Sequence, residues 1–139
     1  MANSFLSSLS DQERLDFISG VFDLVRSGQL APLTEMLDSG VPTDLQNERS
    51  DSLLIIAAYA QKPDIVAFLL ERGADTSIVN TMGQTAISCA VFRNDPGILK
   101  QLLDAGANPD LGHRSGLEIA QQFELPEMEQ ILRAYADQE

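Results

Sequence analysis

The reactive side chains of this sequence gather in one short stretch. "TAISCAVFRN", residues 85–94, holds the single cysteine, Cys89, with Ser88 beside it and Arg93 four residues on. A cysteine acts as a nucleophile through its thiolate, which needs a base or a positive charge within reach. The single histidine, His113, falls in a later segment with no acid at a spacing that would orient it. With Asp110 it makes two potential metal ligands, whereas zinc takes three or four, and no other Cys or His completes the set. "SGVPTD" and "GQTAIS" lack the preceding strand and following lysine of a phosphate-binding loop. No pair of carboxylates stands apart from the general acidity. These residues predict no active site, no metal and no cofactor. Cys89 reads as a small buried hydrophobe, with a redox-responsive thiol as the alternative.

The elements that must position these residues repeat. Gly40, Gly73 and Gly106 stand 33 residues apart, closing "EMLDSGVPTD", "FLLERGADTS" and "QLLDAGANPD". In that register Leu33, Val66 and Leu99 superpose, as do Met36, Leu69 and Leu102, and Leu37, Leu70 and Leu103. "SLLIIAAYAQ" lies over "TAISCAVFRN", which sets Cys89 over Ile56, and a degenerate copy, "SGLEIAQQFE", follows. Each unit reads as a short apolar helix, a tight turn and a second amphipathic helix that a glycine ends in the left-handed conformation. Pro63, Pro96 and Pro126 open the second helices, where a missing N–H costs nothing. Asn80 and Gly83 mark the loop before Thr85 as a turn.

Both ends read as caps. "SDQE", residues 10–13, has the pattern of a capping box, and Leu15, Ile18, Phe22 and Val25 follow at helical spacing as one buried stripe. "ELPEMEQILRAYADQE" supplies the polar outer face that a terminal repeat needs. The expected organisation is a flexible start over residues 1–10 and one domain over 11–135. Its units fall at about 11–45, 46–78, 79–110 and 111–135, with the last four residues loose.

Composition sets outer bounds. With 139 residues, 44% hydrophobic, the chain can bury a core without disulfide or metal. Its 21 acidic and 9 basic residues leave a net charge of −12, which opposes binding to nucleic acid and to anionic membranes and would speed encounter with a basic partner. The N-terminus makes a poor signal peptide, and no later segment has the length of a membrane span. A lone cysteine fits a reducing, cytoplasmic setting.

The period and motifs resemble the ankyrin repeat, a turn–helix–helix unit, over roughly residues 20–135. "NTMGQTAISCA" is similar to that family's loop and "TPLHxAA" helix start, with Thr85, Ile87 and Ala90 in place. The proline and histidine of "TPLH" are absent from all three helix starts, so the hydrogen bonds that histidine makes between loops are expected to be lost. The last loop, from Gly106 to Ser115, is three residues shorter than its predecessor. The resemblance implies an all-α solenoid of about four stacked helix–turn–helix units with loop fingers, looking like the small stand-alone ankyrin proteins of bacteria.

The resemblance also implies a function, that of a monomeric, non-enzymatic protein-binding adaptor or regulator. Its contact face would comprise the loop tips and the exposed side of the first helices. Carried over residue by residue, that face includes Arg49, Tyr59, Met82, Phe92, Arg93, Arg114 and Phe123, with His113 beside them. Tyr59 and Phe92 share one slot a repeat apart, and Phe123 is one residue from it in the next copy. Aromatics, Met and Arg together have the composition of an interface hot spot, although such rings can also pack against the next repeat. A dedicated accessory of an oxidative-stress enzyme such as catalase is the alternative the resemblance allows.

Overall fold

The computed structural model describes residues 7–138, so the expected loose start lies outside the described residues over positions 1–6. From Asp11 to Asp137 the chain runs through eight helices. They pair as α1 (Asp11–Arg26) with α2 (Leu30–Asp38), α3 (Leu53–Tyr59) with α4 (Pro63–Glu71), α5 (Ala86–Phe92) with α6 (Pro96–Asp104), and α7 (Gly116–Gln122) with α8 (Pro126–Asp137). The inner helices α1, α3, α5 and α7 stack in sequence, and α4, α6 and α8 form the outer layer behind them. Among the described residues strand pairing is limited to one isolated bridge, Gln46 to Ser52. The helix α8 reaches Asp137, so Ala136 and Asp137, two of the four end residues expected to be loose, are helical.

Local chemistry accounts for the boundaries. Ser52, Thr85 and Ser115 cap the inner helices through their hydroxyls, each accepting the N–H three residues on. At Ser10 the capping box is complete: Oγ accepts the Glu13 N–H at 3.1 Å, and the Glu13 carboxylate accepts the Ser10 N–H at 3.0 Å. Proline occupies the first turn of α4, α6 and α8. The outer helices α2, α4 and α6 are followed by Gly40, Gly73 and Gly106 at φ of 109°, 79° and 87°, a region that other L-residues enter at a cost.

The inner helices end in the same left-handed turn, at Gly28, Gln61, Asn94 and Glu124, with φ between 73° and 53°. Only the first of these is glycine. Asn tolerates this region, while Gln and Glu carry about 1 kcal/mol of backbone strain there.

One core runs the length of the stack. Ala57, Ala58, Ala90 and Ala120 are fully buried, and their small side chains let successive inner helices approach closely; Leu54 and Ile87 from the inner helices and Leu99 and Met128 from the outer ones are buried in the same core. The N-terminal stripe differs from the sequence expectation. Phe22 and Val25 are buried, joined by Val21, but Leu15 is 40% exposed and Ile18 only partly covered. The cause is length: α1 spans 16 residues and its partner α2 nine, so the first turns of α1 extend past the helix that would cover them.

Glu124 has the left-handed strain without a cross-repeat role, since it is exposed and its side chain makes no hydrogen bond or ion pair. Glu124→Gly is expected to raise the free energy of unfolding by about 0.5–1 kcal/mol, read as a higher urea midpoint at unchanged slope. Asn94→Gly should gain less.

Candidate functional site

The fingers that join the helix pairs are built on asparagine. Asn80 Oδ1 accepts the N–H groups of Met82 and Gln84, both at 2.9 Å. One repeat earlier, Asn47 Oδ1 accepts those of Arg49 and Asp51, both at 3.0 Å. Asp51, 7% exposed, joins the two fingers, because its carboxylate accepts from Asn47 Nδ2 at 3.2 Å and Asn80 Nδ2 at 2.8 Å. Main-chain bonds tie the fingers further: Thr81 N donates to Arg49 O at 2.9 Å and His113 N to Gly83 O at 2.7 Å. The loop contacts expected to be lost with the absent histidine are therefore supplied by Asp51, Asn80 and the backbone. The approach of the last two fingers also requires glycine. A Cβ on Gly83, at φ 76°, would lie 2.5 Å from His113 Cβ.

With the fingers held, finger residues and the exposed ends of the inner helices come together on one side of the stack. Met82, Phe92, Arg114 and Phe123 line one hollow of about 220 Å³, floored by Ser88 and Ile119. The rings of Phe92 and Phe123 meet edge-to-face at 5.5 Å between centroids, yet each remains about half exposed, and Met82 is 68% exposed. They thus pack against the neighbouring repeat and still present an apolar surface. Tyr59, 44% exposed, carries the Arg93 guanidinium over its ring at 5.1 Å. Arg93 also donates to Gln61 Oε1 at 2.8 Å, and Gln61 Nε2 donates to Asp95 at 3.2 Å. The Arg114 guanidinium donates to the Gln122 amide oxygen.

Of the sequence-predicted residues, then, Met82, Phe92, Arg114 and Phe123 share one hollow, and Tyr59 with Arg93 forms a stacked pair one repeat away. Arg49 stands apart, lining a second hollow with Leu15, Ile18 and Phe22 of α1. Sequence reasoning missed Gln61 and the tie that Asp51 makes between two fingers. The signal available for them was pairing at about one repeat length: Gln61 with Asp95, and Asp51 with Asn80.

Cys89 lies one turn before Phe92 and Arg93 on α5, inside the stack. It is 2% exposed, and burial pushes its thiol up to about 12, with the Asp51 carboxylate adding to the shift. A thiol held protonated in this way is a poor nucleophile at neutral pH. Its neighbour Ser88 is committed locally: Oγ accepts the Thr85 N–H at 2.7 Å and donates to Thr85 O at 2.9 Å. His113 is exposed at a finger tip. Among the described residues no group of His, Cys, Asp and Glu is placed to hold a metal ion, and no helix is long and apolar enough to cross a membrane.

A family model of ankyrin repeats, in three copies, matches residues 22–113, about two thirds of the chain. The chain belongs to the ankyrin repeat family. The match takes in Tyr59, Met82, Phe92 and Arg93 and stops at His113, before the fourth helix pair. The chain is also similar to an ankyrin repeat protein of Pseudomonas aeruginosa, 39% identical over 56 residues. That alignment covers 40% of this chain and 33% of the Pseudomonas protein, so the chain spans about a third of the relative it matches. Ankyrin repeats are in general protein-interaction modules and typically non-enzymatic.

The state of Cys89 has a measurable consequence. Ellman's reagent should modify native protein at least about 100-fold more slowly than urea-unfolded protein at pH 8, as expected when reaction requires opening of the core. Because the folded-state value lies above the unfolded one, the contribution of Cys89 to stability is full below pH 9 and falls as pH rises from 9 toward 12. The limiting slope is about 1.4 kcal/mol per pH unit. Urea titrations of wild type and Cys89→Ala across that range should show the extra alkaline loss in the wild type alone.

Proposed function

We propose that this ankyrin domain is a non-enzymatic adaptor or regulator that binds another protein through its concave face. The observation that carries the reading is the row of half-exposed rings, Tyr59, Phe92 and Phe123, which continues through Met82 onto the fingers. Large apolar groups exposed together on one face mark interaction surfaces, whereas scattered ones need no explanation. Arg93 adds a cation already positioned over an aromatic ring. The scaffold is held at each finger by side-chain and main-chain bonds, so binding would cost little ordering.

The burial of Cys89 gives the redox-responsive alternative no support, and no observation singles out an oxidative-stress enzyme as the partner. Function as an adaptor predicts a division between faces. The Tyr59→Ala/Phe92→Ala/Arg93→Ala variant should lose about 100-fold or more in affinity for a protein captured by the wild type from lysate. Its far-ultraviolet circular dichroism should stay within a few per cent of wild type. A control with Glu71→Ala and Lys100→Ala on the outer helices should bind normally. Undiminished binding by a folded triple variant would rule out this face.

A further inference from the structure

The chain is strongly acidic, but its cations are not evenly neutralised. Arg14, Arg26, Arg72 and Arg133 pair with Asp11, Asp23, Asp38 and Glu129. Lys62 precedes α4 on the side of the helix turns, and Lys100 lies exposed on the outer helix α6. Of the remaining basic residues, Arg93 and Arg114 are on the concave face and Arg49 lines the separate hollow against α1; among the described residues no carboxylate forms an ion pair with any of the three. Arg93 is held by an aromatic ring and a neutral amide, and Arg114 by a neutral amide.

Three of the acids near this face have other tasks. Asp51 is buried between Asn47 and Asn80. Asp95 caps α6 by accepting the Ile98 N–H at 3.1 Å. Glu118 accepts the Ser115 N–H at 3.0 Å; that bond is the main cause of its lowered pKa, with smaller contributions from Arg114 and His113. Glu118 is thus the acid that offsets Arg114 in part. The unpaired guanidiniums alternate with apolar surface: Arg93 on Tyr59, and Arg114 at the rim of the hollow formed by Met82, Phe92 and Phe123.

We infer that the concave face takes an acidic peptide segment of its partner, with an apolar side chain seated against Met82, Phe92 and Phe123 and flanking carboxylates on Arg93 and Arg114. This rests on the protein-binding reading and specifies the partner. It reverses what net charge alone suggests. At physiological salt, exposed charges are screened beyond about 8 Å, so a bound segment is governed by the arginines it touches rather than by the −12 of the whole chain. Guanidinium fits carboxylate in a planar, two-bonded geometry that favours this pairing.

The test presents the full chain to a random 12-residue peptide library displayed on phage. Selected peptides should be enriched in Asp and Glu around a Leu, Phe or Met. A synthetic copy of the strongest should lose at least about tenfold in affinity between 50 and 300 mM salt, and a similar factor in Arg93→Gln/Arg114→Gln. In Arg93→Glu/Arg114→Glu the selection should turn toward Lys and Arg. Basic peptides selected by the wild type, or acidic ones indifferent to the Arg→Gln changes, would overturn the inference. A concentration-dependent dimer in sedimentation, abolished by Arg93→Glu/Arg114→Glu, would do so as well, by making a second copy of this chain the occupant. If acidic selection fails while the lysate partner still depends on Tyr59 and Phe92, the partner chemistry is wrong and the adaptor reading stands. If the lysate partner is indifferent to those rings, the adaptor reading itself fails.

Discussion

No unit of this protein can cover its own apolar face, and everything else in the structure follows from that constraint. An inner helix of seven residues such as α3 or α5 is too short to be stable alone. It persists because α3 packs on α5 and α5 on α7, with the outer helices closing the layer behind. The alanines at 57, 58, 90 and 120 set the distance of approach by offering almost no side chain to hold the helices apart. Burying the body of the inner helices in this way leaves the ends, at Tyr59, Phe92 and Phe123, about half exposed.

The same stacking explains the two characters of "TAISCAVFRN". Ile87, Cys89 and Ala90 are buried in the body of α5, whereas Phe92, its last residue, and Arg93, at its C-cap, are exposed where the helix ends. Cys89 is thus a core residue, and Asp51 beside it is a polar tie between fingers rather than a base. Polar groups this deep are retained because each is bonded; removing the Asn80 partner would strand a buried carboxylate oxygen.

Much of this was legible in the sequence because a period of 33 converts into position directly. The glycines at 40, 73 and 106 gave the helix ends, the prolines at 63, 96 and 126 gave the starts, and the register put Tyr59 and Phe92 in one slot. What stayed hidden depends on contacts between copies. Arg93 belongs with Tyr59 and Gln61 of the preceding repeat, and Asp51 with Asn80 of the following one. A reading that aligns repeats for likeness does not look for complementary pairs about one period apart. Leu15 escaped for another reason, since helical spacing marks a stripe but cannot show that α2 stops short of covering it.

The central claim is that stacking frees the concave turns for binding. Two-dimensional NMR of the labelled chain, titrated with its captured partner, addresses it most directly. Shifts should concentrate at Tyr59, Met82, Phe92, Arg93 and Phe123, leaving α4 and α6 little changed. Shifts confined to the outer helices, with those residues unmoved, would contradict it.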